Sequence, residues 1–357
     1  MVHRIFLAIA VFVFALGAFA QSGRNRPTET PTPTPTPRRS TGNYNPTDKI
    51  PPVPANSPKP TPKTDDDNDV IRIESNLVPV PVSVLDARGN AVGGLKIEDF
   101  ELQIDGQTVE IGDLSRSETP VRLALLFDNS SSVAIAREFE KKAAISFFRR
   151  VIRPDKDLVA LFSVATVSHL EQPLTKDVSS LVQAIENFAP PAGATALLDG
   201  IIEASNYLQD AAGRRVIVIV SDGDDTVSDA TFENTVKALQ VTNCQVYVVK
   251  TTDFENYKRT GQRGGSANLR QLAAERRMQE FAVQTGGAVY SPIDEDELDR
   301  AFAQISAELS EQYVLSYYPE NDADKRGQFR TISLTVKTRP NLSVRTRKGY
   351  YVPRKRV

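Results

Sequence analysis

From Val121 to Phe127 the chain is apolar apart from Arg122, a run suited to a strand covered on both faces. Leu158-Val159-Ala160-Leu161-Phe162, Val216–Val220 and Val246-Tyr247-Val248-Val249 repeat that pattern. Between the first two runs, Phe139, Ala143, Phe147 and Val151 recur four apart and mark one face of a helix. Leu197–Leu208 and Phe232–Leu239 read as further helices. Strand–helix alternation over 120–312 predicts an α/β fold with a doubly wound, mostly parallel sheet and helices on both faces. Ligands on such sheets bind beyond the carboxyl ends of the strands.

The flanks change period. Val80, Val82 and Val84 alternate with polar or proline positions, and Arg88-Gly89-Asn90 supplies a turn. Pro79 and Pro81 fall within that alternation and predict a strand at a sheet edge, because proline offers no ladder donor. Phe100, Leu102 and Ile104 alternate, Asp105-Gly106 makes a hairpin turn, and Val109 and Ile111 resume beyond it. Near the other end, Tyr313–Tyr317, Ile332–Val336 and Ser343–Thr346 read as strands. Neither flank has enough strands to cover a core alone, so residues 70–119 and 313–357 are expected to build one small β-sandwich together.

The first 20 residues combine a basic start (His3, Arg4), an apolar run from Ile5 to Leu16, and Ala18-Phe19-Ala20. That is the make-up of a secretory signal peptide cleaved after Ala20, and it implies a secreted or periplasmic protein with no integral membrane segment afterwards. Residues 21–69 are rich in Pro and Thr and are expected to form a disordered, extended spacer reaching on the order of 100 Å. Asp65-Asp66-Asp67 closes that stretch as a solvated charge run. The 357 residues carry 43 Lys+Arg against 45 Asp+Glu, a balance that argues against nucleic-acid partners. A single cysteine, Cys244, excludes an intramolecular disulfide or a Cys-rich metal site, and its setting predicts a small buried hydrophobe.

Candidate chemistry gathers where two strands exit. The first central run ends in Asp128-Asn129-Ser130-Ser131-Ser132, and Val216–Val220 ends in Ser221-Asp222-Gly223-Asp224-Asp225. Between them in sequence, Gly193-Ala194-Thr195 turns into a helix. Asp128, Ser130 and Ser132 are spaced two apart, so an extended exit aims their oxygens the same way. Carboxylate and hydroxyl oxygens are hard donors suited to Mg²⁺ or Mn²⁺, with Ca²⁺ the larger alternative. Taken singly, each element is as well explained as a helix cap or a turn.

Taken in order, D-x-S-x-S after an apolar strand, a Thr in a Gly-containing turn and S-D-G after a later strand resemble the von Willebrand factor A domain and its metal-ion-dependent adhesion site. The resemblance covers about 120–312. It implies that Asp128, Ser130, Ser132, Thr195 and Asp222 are metal ligands, with Ser131 where many members have Gly. It implies too a non-enzymatic adhesion module, in which one divalent cation bridges to an Asp or Glu carboxylate of a partner protein. Asp99-Phe100 with Asp105-Gly106, and the ending Arg347-Lys348-Gly349-Tyr350-Tyr351, resemble a bacterial secreted group of A-related proteins. In the family the last helix, here Asp296–Leu309, can move to switch affinity.

Two alternatives stay open: a structural scaffold with a vestigial metal site, and a hydrolase. For the hydrolase, His169 is the one histidine beyond the leader, and it reads as an exposed hairpin residue. There is no G-x-S-x-G elbow, no G-x-x-x-x-G-K-[ST] loop and no G-x-G-x-x-G after a strand. Asp224, Asp225, the Arg259, Arg263, Arg270, Arg276 and Arg277 group, and the Arg354-Lys355-Arg356 tail are expected to be solvated charge.

Overall fold

The computed structural model describes residues 77–116, 119–153, 155–262, 268–319, 325–339 and 341–353. The expected leader and spacer, Arg263 and the basic tail lie outside the described residues. Four strands come first: β1 (Val78–Leu85), β2 (Phe100–Ile104), β3 (Gln107–Val109) and β4 (Asp113–Arg116). The α/β part follows with β5 (Val121–Asp128), α1 (Arg137–Val151), β6 (Leu158–Val164), β7 (Ser168–Thr175) and α2 (Val178–Glu186). It continues with α3 (Leu197–Leu208), β8 (Arg214–Ser221), α4 (Phe232–Thr242), β9 (Cys244–Lys250) and α5 (Thr252–Thr260). It ends with α6 (Leu269–Thr285), β10 (Val289–Tyr290) and α7 (Glu295–Glu311). β11 (Tyr313–Tyr317), β12 (Phe329–Val336), β13 (Ser343–Thr346) and β14 (Gly349–Tyr351) complete the chain.

The central sheet has the order β10-β9-β8-β5-β6-β7. All its pairings are parallel except β6–β7, which forms a bulged antiparallel edge. The apolar runs are buried on both sides because two separate cores flank them. One packs α1, α2 and α7 side chains such as Phe147, Leu181 and Phe302 on Leu123, Leu125 and Val218. The other packs α3, α4 and α6 side chains such as Ile201, Leu239 and Phe281 on Leu126, Ile217 and Val248. Each such side chain, fully withdrawn from water, stabilises the fold by about 1.5–3 kcal/mol. Side-chain caps fix the helix starts: Asp177 accepts the Ser179 N–H, Thr231 the Asn234 N–H, Asn268 the Gln271 N–H and Asp294 the Glu297 N–H.

The flanking strands form two antiparallel four-stranded sheets, ordered β13-β1-β11-β4 and β14-β12-β2-β3. Both sheets mix early and late strands, and their inner faces meet in one cluster of Val80, Val82, Leu102, Ile104, Tyr313, Leu315 and Ile332. The flanks thus fold on each other as the alternation implied. Two details differ from expectation. Ile111 does not continue β3; β4 crosses to the other sheet and pairs with β11.

The larger correction concerns β1, which lies inside its sheet and not at its edge. It pairs with β11 over Val78–Val82 and with β13 over Val82–Leu85. Pro79 and Pro81 therefore lie beyond the reach of β13. Their carbonyls accept the Arg347 Nη2 (2.7 Å) and the Thr346 hydroxyl (2.9 Å), so side chains replace the neighbouring strand where proline has no N–H to offer. The strand is interior at one end and edge-like at the other.

Candidate metal centre

Parallel β5 and β8 are neighbours in register, with Phe127 opposite Val220, so their exits deliver Asp128 and Asp222 side by side. Asp128 is 1% exposed. Its Oδ1 accepts the Ser130 N–H (2.9 Å) and its Oδ2 accepts the Ser221 hydroxyl (2.6 Å). Ser130 is buried and Ser132 exposed, their Oγ atoms 3.0 Å apart. Ser132 also hydrogen-bonds Asp222, whose Oδ1 accepts the Asp224 N–H (2.9 Å). These four side chains thus form one connected group reaching from buried Asp128 to the surface.

Thr195 enters from a third segment. The Ser131 N–H donates to the Gly193 carbonyl (3.2 Å) and the Ala192 N–H to the Asn129 carbonyl (3.0 Å), which binds this turn to the β5 exit. Gly193 has φ +80°, and a Cβ there would sit 2.5 Å from Thr166 Oγ1, so the turn requires glycine. Thr195 is buried, donates its N–H to Thr226 Oγ1 (3.0 Å) and receives the Thr226 N–H on its carbonyl (2.8 Å). The loop after β8 therefore orients it, and its described bonds run to Thr226 and Val227. Behind the β5 exit, buried Arg137 ties the Asn129 side chain to the Phe188 and Ala189 carbonyls.

Two carboxylates join this neighbourhood that spacing alone does not reveal. Glu140 on α1 is fully buried, and the Thr251 hydroxyl is the group that offers its carboxyl a hydrogen bond. Glu255 on α5 has one buried oxygen without a partner. Burial, reinforced by Asp222 nearby, pushes the Asp128 carboxyl up to about 6. Burial with Asp222 and Asp128 pushes Glu255 to about 8, and burial with Asp128 holds Glu140 well above the usual carboxylate range. Burial raises Asp222 too. Glu140 was legible in one respect: it stands in the stripe Ala136, Phe139, Ala143, Phe147, where a helix otherwise puts apolar residues.

Asp224 and Asp225 are not merely solvated. Asp224 pairs with Arg270 (2.7 Å), and Asp225 Oδ1 accepts the Leu198 N–H (3.2 Å) and the Ser228 hydroxyl (2.5 Å), bracing α3. A cleft of about 160 Å³ opens beside Asp222, lined by Asp224, Thr252, Glu255 and Arg270. His169 is exposed on β7, paired across from Ser163. Cys244 is buried, as expected.

Hard oxygen donors and an excess of buried negative charge suit a divalent cation of the Mg²⁺ or Mn²⁺ type. Among the described residues no three His, Cys, Asp or Glu side chains are gathered closely enough to hold a metal, so such an ion would depend on the serine and threonine hydroxyls. No helix among the described residues is long and apolar enough to cross a membrane.

Residues 123–224, under a third of the chain, match the sequence model for the von Willebrand factor type A domain. No curated protein matches the chain. Similar solved structures include the PilB minor pilin from Streptococcus sanguinis, at 14% identity over 54% of this chain with a TM-score of 0.41. The match spans 61% of the pilin, less than two thirds of its length. BatB from Bacteroides thetaiotaomicron is similar at 19% identity over 53% of this chain and 98% of its own, with a TM-score of 0.41. An aerotolerance-related membrane protein from Bacteroides fragilis is similar at 19% identity over 52% of this chain and 98% of its own, again at 0.41. On the strength of the matched segment, the chain carries a von Willebrand factor type A domain, a module that commonly mediates protein interactions.

Proposed function

We propose that Asp128, Ser130, Ser132, Thr195 and Asp222 hold one divalent cation, Mg²⁺ or Mn²⁺, and that an Asp or Glu carboxylate of a partner protein completes its coordination. On this reading the protein is a non-enzymatic, extracytoplasmic interaction module. The cation would act as a bridge, since Mg²⁺ keeps open positions when a protein supplies only a few oxygens. The observation that carries the reading is the pair of neighbouring carboxylates, Asp128 and Asp222, raised by burial and linked to exposed Ser132. A cation neutralises that charge, while Asn129, Gly193 and Arg137 keep the loops in place beforehand.

Paramagnetic Mn²⁺ titration of the chelator-stripped protein tests this directly. Wild type is expected to bind one Mn²⁺ that Mg²⁺ displaces, and Asp222→Asn to lose it. Addition of an Asp-containing peptide should then alter the Mn²⁺ spectrum, whereas its Asn counterpart should not. Absence of Mn²⁺ binding in wild type would remove the metal reading. Mn²⁺ binding without a response to any carboxylate would remove the bridging role.

A further inference from the structure

At the opposite, N-terminal end of the central sheet, the starts of β8 and β9 face the β1 side of the sandwich across a cavity of about 310 Å³. That volume is at the small end of the range of about 300–1,000 Å³ typical of ligand pockets. Its wall carries three arginines, Arg214, Arg215 and Arg347, and apolar surface from Leu239 and Val314. Among the described residues lining it there is no Asp or Glu.

Arg214 is 7% exposed and Arg347 9% exposed. Arg214 donates to Gln312 Oε1 (2.7 Å) and to the Leu309 carbonyl (2.6 Å). Arg347 donates to Asn243 Oδ1 and to the Pro79 carbonyl (2.7 Å). Arg215 donates to the Thr242 (2.7 Å) and Ala211 (3.2 Å) carbonyls. Every one of these acceptors is neutral. The Nε of Arg214 and the Nε of Arg347 are both buried and have no hydrogen-bond partner. Asp157, which attracts Arg214 from nearby, is already engaged by Arg153 and the Val121 N–H.

Burying a guanidinium without a paired anion is unfavourable, and leaving a donor unsatisfied adds to the penalty. Burial draws Arg214 and Arg347 down to about 10, which still leaves both charged at neutral pH. The cavity therefore sets fixed positive charge beside apolar wall, with nothing of opposite sign on its described wall.

We propose that this cavity binds a small organic oxyanion, a carboxylate or phosphate monoester on an apolar body. The oxyanion is received by Arg214, Arg215 and Arg347, whose planar forks suit such groups. The apolar body lies against Leu239 and Val314. Ligand bound there touches both the central sheet and the sandwich strands, since Pro79, Arg347 and Val314 come from the latter.

The test is calorimetric titration of the full chain with benzoate and with phenyl phosphate at constant ionic strength, with chelator present so that the acidic end of the sheet plays no part. Saturable binding of at least one probe is expected, with benzyl alcohol silent. Arg347→Gln and the more exposed Arg215→Gln should each weaken binding about tenfold, the scale of one lost charge-assisted contact. Arg215→Gln keeps the experiment decisive should Arg347→Gln fail to fold. Binding of benzoate alone points to carboxylates, and of phenyl phosphate alone to phosphate esters. No saturable binding of either probe up to about 10 mM, a level that would register any affinity of note, overturns the proposal. So does binding unchanged in Arg215→Gln, or equal binding of benzyl alcohol.

Discussion

The two ends of the central sheet carry opposite charge, arranged in opposite ways. At the carboxyl end, Asp128, Asp222, Glu140 and Glu255 lie within electrostatic reach of one another, their carboxyls raised above the ordinary range chiefly by burial. At the amino end, Arg214 and Arg347 are buried against neutral acceptors only. At the acidic end Asp128, Ser130, Ser132 and Asp222 stand where short loops follow strands directly and are linked by hydrogen bonds, while Glu140 and Glu255 come from helices α1 and α5. The basic end is assembled where sandwich and sheet meet, from residues far apart in the chain. One end is a compact motif and the other an interface, yet each concentrates charge of a single sign where a ligand of the other sign would relieve it.

Gly193→Val places a β-branched side chain at φ +80° and against Thr166, which should cost about 1–3 kcal/mol of stability. Because Gly193 anchors Ser131 and precedes Thr195, Mn²⁺ binding should fall with it, while benzoate binding at the basic end is retained. Denaturant unfolding with parallel ligand titrations checks both halves.

The acidic end should also make metal-free stability depend on pH. The native carboxyls keep protons that the unfolded chain has released above its ordinary pKa near 4, so the native state binds more protons. Stability of the chelated protein is therefore expected to fall as pH rises from about 4 through about 6, where Asp128 ionises, and on to about 8, where Glu255 does. Glu140→Gln should make that decline shallower, because it removes one carboxyl that burial holds well above the ordinary range. Added Mg²⁺ should stabilise more at pH 8 than at pH 5, because the cation competes with protons. Thermal unfolding across pH, with and without Mg²⁺, follows the effect.

The ends share no described side-chain partner, so stabilisation by Mg²⁺ and by benzoate should add to within about 0.5 kcal/mol. A larger departure would reveal coupling through the sheet. The smallest effect is expected from Arg270→Gln. The Arg270 guanidinium that pairs with Asp224 is largely exposed, and loss of such a pair changes stability by less than about 1 kcal/mol. Mn²⁺ affinity should rise slightly once that positive charge is removed.

How readily each end could be read from the chain follows from the same difference. Asp128, Ser130, Ser132 and Asp222 stand within a few residues of strands whose apolar runs are unmistakable, so register alone brings them together. Thr195 needed the Gly193 turn to be placed. Glu140 gives itself away only as a charge in an apolar stripe, and Glu255 depends on where α5 docks, with Phe254 stacked on Phe139. The basic cavity brings Pro79, Arg214 and Arg347 together, a juxtaposition that local pattern cannot encode. For the same reason Pro79 and Pro81 mislead. Composition places them at an edge, but the side chains of Thr346 and Arg347 let an interior strand tolerate them.

The measurement that bears most directly on the metal reading is thermal unfolding of the chelator-stripped protein against increasing Mg²⁺, beside Asp128→Asn. In wild type, Mg²⁺ at about 100 times its Kd should add roughly 2.7 kcal/mol of stability. Asp128→Asn should show no such response, yet melt higher than wild type in chelator, since it removes a buried charge that Asp222 opposes. Equal responses of the two proteins to millimolar Mg²⁺, or none from wild type, would contradict a divalent cation at Asp128.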